Sequence, residues 1–287
     1  KKTLLNKKKQ NKRNKEKGKE YRNKLLKNID YEFEEEQFRG RSGEGQKGAF
    51  SRVRFFTIKK LVVIIMLLRA SYQREIDKFC KTLIGGDFDV RQITKGALTQ
   101  ARAKLNPWAF KRLSEVALNT FYAEADYWVW KDYRILAVDG SRLKLPYSEN
   151  IMRVFGEYKV GPKADSQVCM ASCSLLYDVL NHTAIDAQIG PWSKSDKDYL
   201  YEDHIKKIGK GDLILADRGY PSYELMLRLE GKGAAYCIRM KEGWWKGVKE
   251  FVESGKDEQI VEFEIPQDIK QKLGIKPSRR VIKCRMI

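Results

Sequence analysis

Cysteine, histidine and proline are scarce in this chain, and the first two scarcities each remove a class of function. Of 287 residues, five are Cys, two are His and seven are Pro. Cys80, Cys169, Cys173, Cys237 and Cys284 form no CxxC pair, and an odd count at wide spacing is no disulfide framework. A reducing, cytoplasmic setting is the expectation. His182 and His204 have no neighbour at metal-ligand spacing, which argues against a zinc site. Long apolar runs are missing too. The longest is LVVIIMLL, Leu61 to Leu68, against the roughly 20 residues a bilayer span requires. It reads as a buried helix segment, so no membrane partner is expected. No secretory leader is visible, because no apolar stretch follows the basic start.

What the chain has in excess is positive charge. Its net charge is +19, and residues 1–28 hold thirteen Lys/Arg against two Glu. Charge so concentrated suits an acidic polymer, nucleic acid before an anionic membrane. A solvated basic tail is the alternative at this point. Hydrophobic residues make up 42% of the chain, enough for a buried core.

Three regions follow from composition and periodicity. Residues 1–50 read as a basic, flexible tail, with the Gly-rich stretch 40–48 as its loosest part. Residues 51–130 read as a helical domain. Ser71 and Thr94 are placed as N-caps, and Asn106-Pro107 opens a helix over WAFKRLSEVALNTFYAEA. Arg102 and Lys104 fall on a face free to meet DNA, and an ordinary helical bundle accounts for the same pattern. Residues 131–287 change character, in the order strand (RILAVDG), hairpin around 178–181, helix capped by Ser195, strand (GDLILAD), helix, strand (AAYCIRM). That alternation predicts a mixed sheet with helices, hence α/β. Residues 259–265 alternate like a further strand whose partner is expected beyond the end of the chain.

Two aspartates share one context. Asp139 follows ILAV, Asp217 follows LILA, and each has a Gly within two residues. Ligand sites in open α/β sheets lie outside the carboxyl ends of strands. If the two strands are parallel neighbours, about 4.8 Å apart, the carboxylates meet at one rim and need a cation between them. Oxygen ligands without sulfur or imidazole favour Mg²⁺ or Mn²⁺, and such ions serve phosphodiester chemistry. Taken singly, each site is better explained as an Asp-Gly turn after a strand, and only the matched pair of lead-ins brings the two readings level. Arg218 and Lys241 are candidate phosphate contacts, and Tyr220, Trp244 and Trp245 candidate stacking surfaces.

The segments AVDGSRLKLP, ADRGYPSYEL, ALTQARAKLNPWAF and LLYDVLNHTAIDAQIG resemble the IS4-type DDE transposases of bacterial insertion sequences. The resemblance spans roughly residues 50 to 245. It implies a ribonuclease-H-like core whose first Asp closes the first strand and whose second closes the fourth, positions that Asp139 and Asp217 match. It further implies Mg²⁺-dependent cleavage of double-stranded DNA at transposon ends, attack of the freed 3′-hydroxyl on target DNA, and a homodimer on DNA. The helical region would bind transposon ends, and the setting would be prokaryotic and close to the nucleoid. The family completes its metal site with a Glu on a later helix, in a motif with Tyr and Arg before it and Lys after it. That motif is absent from these 287 residues. No third catalytic residue is assigned. The chain is expected to be a piece ending within the catalytic domain, where a β insertion begins. A catalytically dead DNA-binding remnant is the second reading.

Overall fold

The computed structural model describes residues 2–45, 49–50, 55–69, 71–84, 93–159, 167–276 and 278–287. The chain divides into residues 1–127 and 128–287. The first unit is helical: α1 (Lys2–Glu34), α2 (Glu36–Ser42), α3 (Ile58–Leu67), α4 (Tyr72–Ile84), α5 (Lys95–Arg102) and α6 (Trp108–Glu124). Its core gathers Phe33, Phe38, Leu61, Ile64, Ile76, Leu98 and Leu113.

The expected flexible tail is instead largely helix α1. The reason is a stripe the basic composition conceals. Tyr21, Leu25, Ile29 and Phe33 recur every four residues and turn inward together. Tyr21 packs edge-on against Phe121 at 6.0 Å, and Asn28 Nδ2 donates to Thr120 Oγ1 at 2.9 Å. Arg112 makes a two-pronged ion pair with Glu32, at 2.6 and 2.8 Å. These contacts run α1 antiparallel along α6, leaving Lys19, Arg22 and Lys27 exposed. Of the Gly-rich stretch 40–48, residues 40–42 close α2 and 46–48 lie outside the described residues. The apolar run in α3 is buried on one face only. Leu61, Val62 and Ile64 are buried, whereas Met66 and Leu67 are exposed. Among the described residues no helix is long and apolar enough to cross a membrane.

Capping follows local chemistry. Thr94 accepts from the Ala97 amide at 3.3 Å, and Asn106 Oδ1 accepts from the Trp108 amide at 2.9 Å. Each satisfies a helix-start donor that otherwise has no partner.

The second unit is the α/β part. Its elements are β1 (Arg134–Leu145), α7 (Glu149–Phe155), β2 (Glu157–Lys159), β3 (Gln167–Asp178), β4 (Thr183–Pro191), α8 (Asp196–Glu202), β5 (Asp212–Ala216), α9 (Tyr223–Gly231), β6 (Ala235–Ile238), α10 (Lys246–Glu253), β7 (Gln259–Glu264), α11 (Gln267–Leu273) and β8 (Val281–Met286). One mixed sheet runs β3-β1-β5-β6, with β2 and β4 both paired to β3. β1 pairs antiparallel with β3 and parallel with β5, and β5 pairs parallel with β6. The mixed sheet with helices expected from the sequence is therefore present. Setting aside the three-residue β2, Asp139 lies on the first strand and Asp217 directly follows the fourth.

The β3–β4 hairpin forms where expected. Buried Asp178 turns it, its Oδ1 accepting from the amides of Leu180 and Asn181 at 3.2 and 3.1 Å. Ser195 caps α8 in a reciprocal box with Asp198. Pro221 lies just before the start of α9. It precedes the cap, Ser222, whose hydroxyl accepts from the Leu225 amide. The strand at 259–265 also differs from expectation: its partner is β8, within the chain, in a separate antiparallel pair.

The parallel register of β1 on β5 is pinned at its start. Arg134 and Asp212 face each other across the ladder. The guanidinium donates to both carboxylate oxygens, at 2.8 and 3.0 Å, and the Asp212 side chain is 5% exposed. Beyond it, Leu136 and Ile214 are fully buried on one sheet face, each worth about 1.5–3 kcal/mol of burial. Removing the guanidinium strands a buried charge. Arg134→Met should lower unfolding free energy by about 3 kcal/mol, read as a fall in the urea midpoint.

Candidate active site at the sheet rim

Alternation along two strands builds the site. Leu136 and Val138 of β1, with Ile214 and Ala216 of β5, are buried on one face. Ile135, Ala137 and Asp139, like Leu213, Leu215 and Asp217, therefore belong to the other. The ladder pairs Ile135 with Leu213 and Ala137 with Leu215. Two residues further in the same register stand Asp139 and Asp217. Both are exposed, on neighbouring strands of about 4.8 Å spacing. Asp217 also lines a cleft of about 1360 Å³ whose walls include Ile135, Ala137, Leu213 and Leu215.

Asp139 does not end its strand, as the sequence suggested. β1 runs on to Leu145, held by β3 alone beyond the ladder with β5. The Asp-Gly pair is no turn. Gly140 is a strand residue opposite Ser174, and its amide donates to Asp139 Oδ1 at 2.9 Å. Its lack of a side chain has a separate cause: a Cβ there would lie 2.0 Å from Asp196 Oδ1. The Asp196 carboxylate occupies the space that any larger residue would take.

Tyr220 completes the group. It is 4% exposed, and its hydroxyl has no hydrogen-bond partner, as is true of buried Asp196 Oδ1. Burial pushes the phenol well above its ordinary range, and the charges of Asp196, Asp139 and Asp217 push it further. All three carboxylates thus act on one buried hydroxyl. Among the described residues no three His, Cys, Asp or Glu side chains are placed to hold a metal ion directly. The oxygen-only donors and the two orphaned polar atoms nevertheless fit a hydrated hard cation. The sequence offered Ser195 as the cap of α8. Ser195 does cap. Only the fold brings Asp196 against Gly140.

Arg218 is exposed beside Asp217, and Lys241 follows β6 on the same side of the sheet, its Nζ 4.0 Å from the Trp244 ring centroid. Trp244 is 52% exposed. Trp245, by contrast, is consumed by packing, stacked on Tyr223 at 4.3 Å. Arg102 and Lys104 lie in the helical unit. The Arg102 guanidinium donates to Tyr72 Oη at 2.6 Å. Asp139 thus lies on β1, Asp217 and Arg218 directly after β5 and Lys241 shortly after β6, all in one unit, whereas Arg102 and Lys104 lie in the other.

Three glutamates later in the chain are held by cations. Glu224 pairs with Arg228 and Lys272, and these outweigh burial to hold its carboxyl below the usual range. Glu258 pairs with Arg285 and Glu262 with Lys283.

A buried polar relay stands behind Asp139. His204 Nδ1 lies 2.7 Å from Asp186 Oδ2, His204 Nε2 lies 3.0 Å from Ser174 Oγ, and Ser174 Oγ donates to the Asp139 carbonyl at 3.4 Å. The trio has the composition of a hydrolytic triad. His204 is fully buried and Ser174 is 3% exposed, so no substrate reaches it, and its role is to brace β1, β3 and β4. Burial pushes the Asp186 carboxyl up, but hydrogen bonds from His204 and Gln188 prevail and hold it below its ordinary value. A depressed carboxylate stabilises the fold above the unfolded pKa of about 4, and that contribution is lost as pH falls through the lower folded value. Asp186→Asn should therefore lose less stability than the parent between pH 6 and pH 3, measured by urea unfolding at each pH.

Residues 130–276, just over half of the chain, match a family described as the transposase DDE domain. No curated protein matches the chain. A solved structure, the Mos1 transposase paired-end complex with left transposon end, is similar at 10% identity over 71% of this chain and 72% of that one. Its TM-score is 0.25, too low to support an inference about this fold.

Proposed function

The chain belongs to the transposase DDE domain family and is thereby a DNA transposase, and we propose that Asp139 and Asp217 carry its metal-dependent phosphoryl transfer. The observation that supports this reading is their equal rank on parallel neighbours, two residues past the Ala137–Leu215 pair. Two ionised carboxylates so close repel each other unless a cation stands between them. Enzymes of this family work with divalent metal ions. We assign Mg²⁺, or Mn²⁺ in its place, because the donors are oxygen alone. When bound, the cation neutralises charge on the phosphate and polarises it toward attack.

The chain's own groups orient the DNA. Arg218 presents a planar fork to phosphate oxygens. Lys241 adds a point charge, and exposed Trp244 offers a ring face to an unpaired base at the cut end. The reaction is cleavage at the ends of an insertion sequence of the IS4 type, followed by attack of the freed 3′-hydroxyl on target DNA. Double-stranded DNA is the partner of the helical unit, met by Arg102, Lys104 and the basic face of α1. Arg102 arrives partly ordered, since Tyr72 holds its guanidinium. Two transposon ends are brought together by a homodimer in a prokaryotic cytoplasm, near the nucleoid. The third acid of the family's metal site is supplied by none of the glutamates paired above.

Asp139→Asn and Asp217→Asn should each reduce cleavage of labelled transposon-end DNA by on the order of 10³-fold, with the circular dichroism spectrum unchanged. EDTA should abolish cleavage, and Mg²⁺ or Mn²⁺ should restore it. Activity retained in either variant overturns the assignment. Charge removal at Arg102 and Lys104 should weaken DNA binding evenly across sequences and flatten its dependence on salt, as read by fluorescence anisotropy.

A further inference from the structure

Asp196 has a position that helix capping does not explain. The cap of α8 is Ser195, and Asp198 closes the box by accepting from the Ser195 amide at 2.9 Å. Asp196 is left over. Its carboxylate lies at the α-carbon of Gly140, next in sequence to Asp139. One of its oxygens is buried and has no hydrogen-bond partner. A buried, unpaired carboxylate oxygen is costly, of the order of 1–3 kcal/mol or more. The Tyr220 hydroxyl is also buried and unpartnered, and it lies within electrostatic reach of Asp196, Asp139 and Asp217.

Two orphaned polar groups around one pair of acids call for a ligand rich in hydrogen-bond donors. A cation held by only one or two carboxylates keeps several of its waters, and Mg²⁺ does so in particular. We propose that Asp196 is a positioning carboxylate of the metal site, accepting a hydrogen bond from the hydration shell of the cation that Asp139 and Asp217 hold. Tyr220 lies on the same shell and takes a second of its hydrogen bonds. This arrangement satisfies both orphaned atoms at once. It also accounts for Gly140, because any side chain there would evict Asp196. The inference rests on the assignment of Asp139 and Asp217 made above.

Outer-shell partners of this kind typically change metal affinity by 10–100-fold. The test is Mn²⁺ binding to the 287-residue chain by isothermal titration calorimetry, beside thermal melts with and without Mn²⁺. Asp196→Asn is expected to weaken Mn²⁺ binding about tenfold and to shrink the Mn²⁺-induced rise in Tm. Gly140→Ala should have a similar effect while every acid remains in the chain, because its methyl group displaces the Asp196 carboxylate. Asp217→Asn is the reference and should abolish binding. Wild-type affinity, within twofold, in both Asp196→Asn and Gly140→Ala, with loss in Asp217→Asn, overturns this proposal alone. A fall in metal-free Tm of Asp196→Asn with affinity unchanged overturns it equally, since a role at the helix start predicts that pattern. Wild-type affinity in Asp217→Asn overturns the metal-site assignment, and this inference with it.

Discussion

The buried ion pair between Arg134 and Asp212 sets the register on which the site depends. It sits at the first rung of the β1–β5 ladder, with both guanidinium contacts made. Sheet alternation has a period of two, so a slip of one residue would send Asp139 to the opposite face from Asp217. It would also bring Leu136 and Val138 out of the core. Hydrophobic burial and the ion pair thus select one alignment, and the equal rank of Asp139 and Asp217 follows from it. An ion pair of this kind adds little net stability. Its value here is specificity of register.

Placing acids together has a cost that the surroundings distribute. Asp139 and Asp217 are exposed, so water screens their repulsion when no cation is present. Tyr220 and one oxygen of Asp196 are buried, where screening is weak and an unmet hydrogen bond is expensive. Around them the strands are braced by hydrogen bonds. Asp139 is held through its backbone by β3, and behind it stand Ser174, His204 and Asp186, all inward of the rim. Rigidity of this sort suits a site whose chemistry depends on orientation more than on covalent participation.

Much of this was legible before any coordinates. The apolar lead-ins ILAV and LILA marked two buried strands, the Asp178–Asn181 turn marked the hairpin, and Thr94, Asn106 and Ser195 announced helix starts. Each is a local signal, carried by neighbouring residues. The misreadings have a shared origin. Helix α1 was hidden because thirteen basic residues outweigh a stripe as thin as Tyr21, Leu25, Ile29 and Phe33. Asp-Gly at 139–140 looked like a turn because the reason for glycine lies 56 positions away, at Asp196. Residues 259–264 appeared partnerless because β8, their partner, comes after a helix.

The sequence by itself determined the charge, the strand and helix periods, the caps, and the identity of the two acids with matched surroundings, because all of these depend on residues a few positions apart. The tertiary structure alone decided which face each acid occupies, that Asp196 packs against Gly140, that Trp245 is packed while Trp244 is free, and that the acids at 224, 258 and 262 are held by cations. Those outcomes depend on register and on contacts between distant segments. The free energy that chooses among them is shared by the whole packed sheet and written in no single stretch of chain.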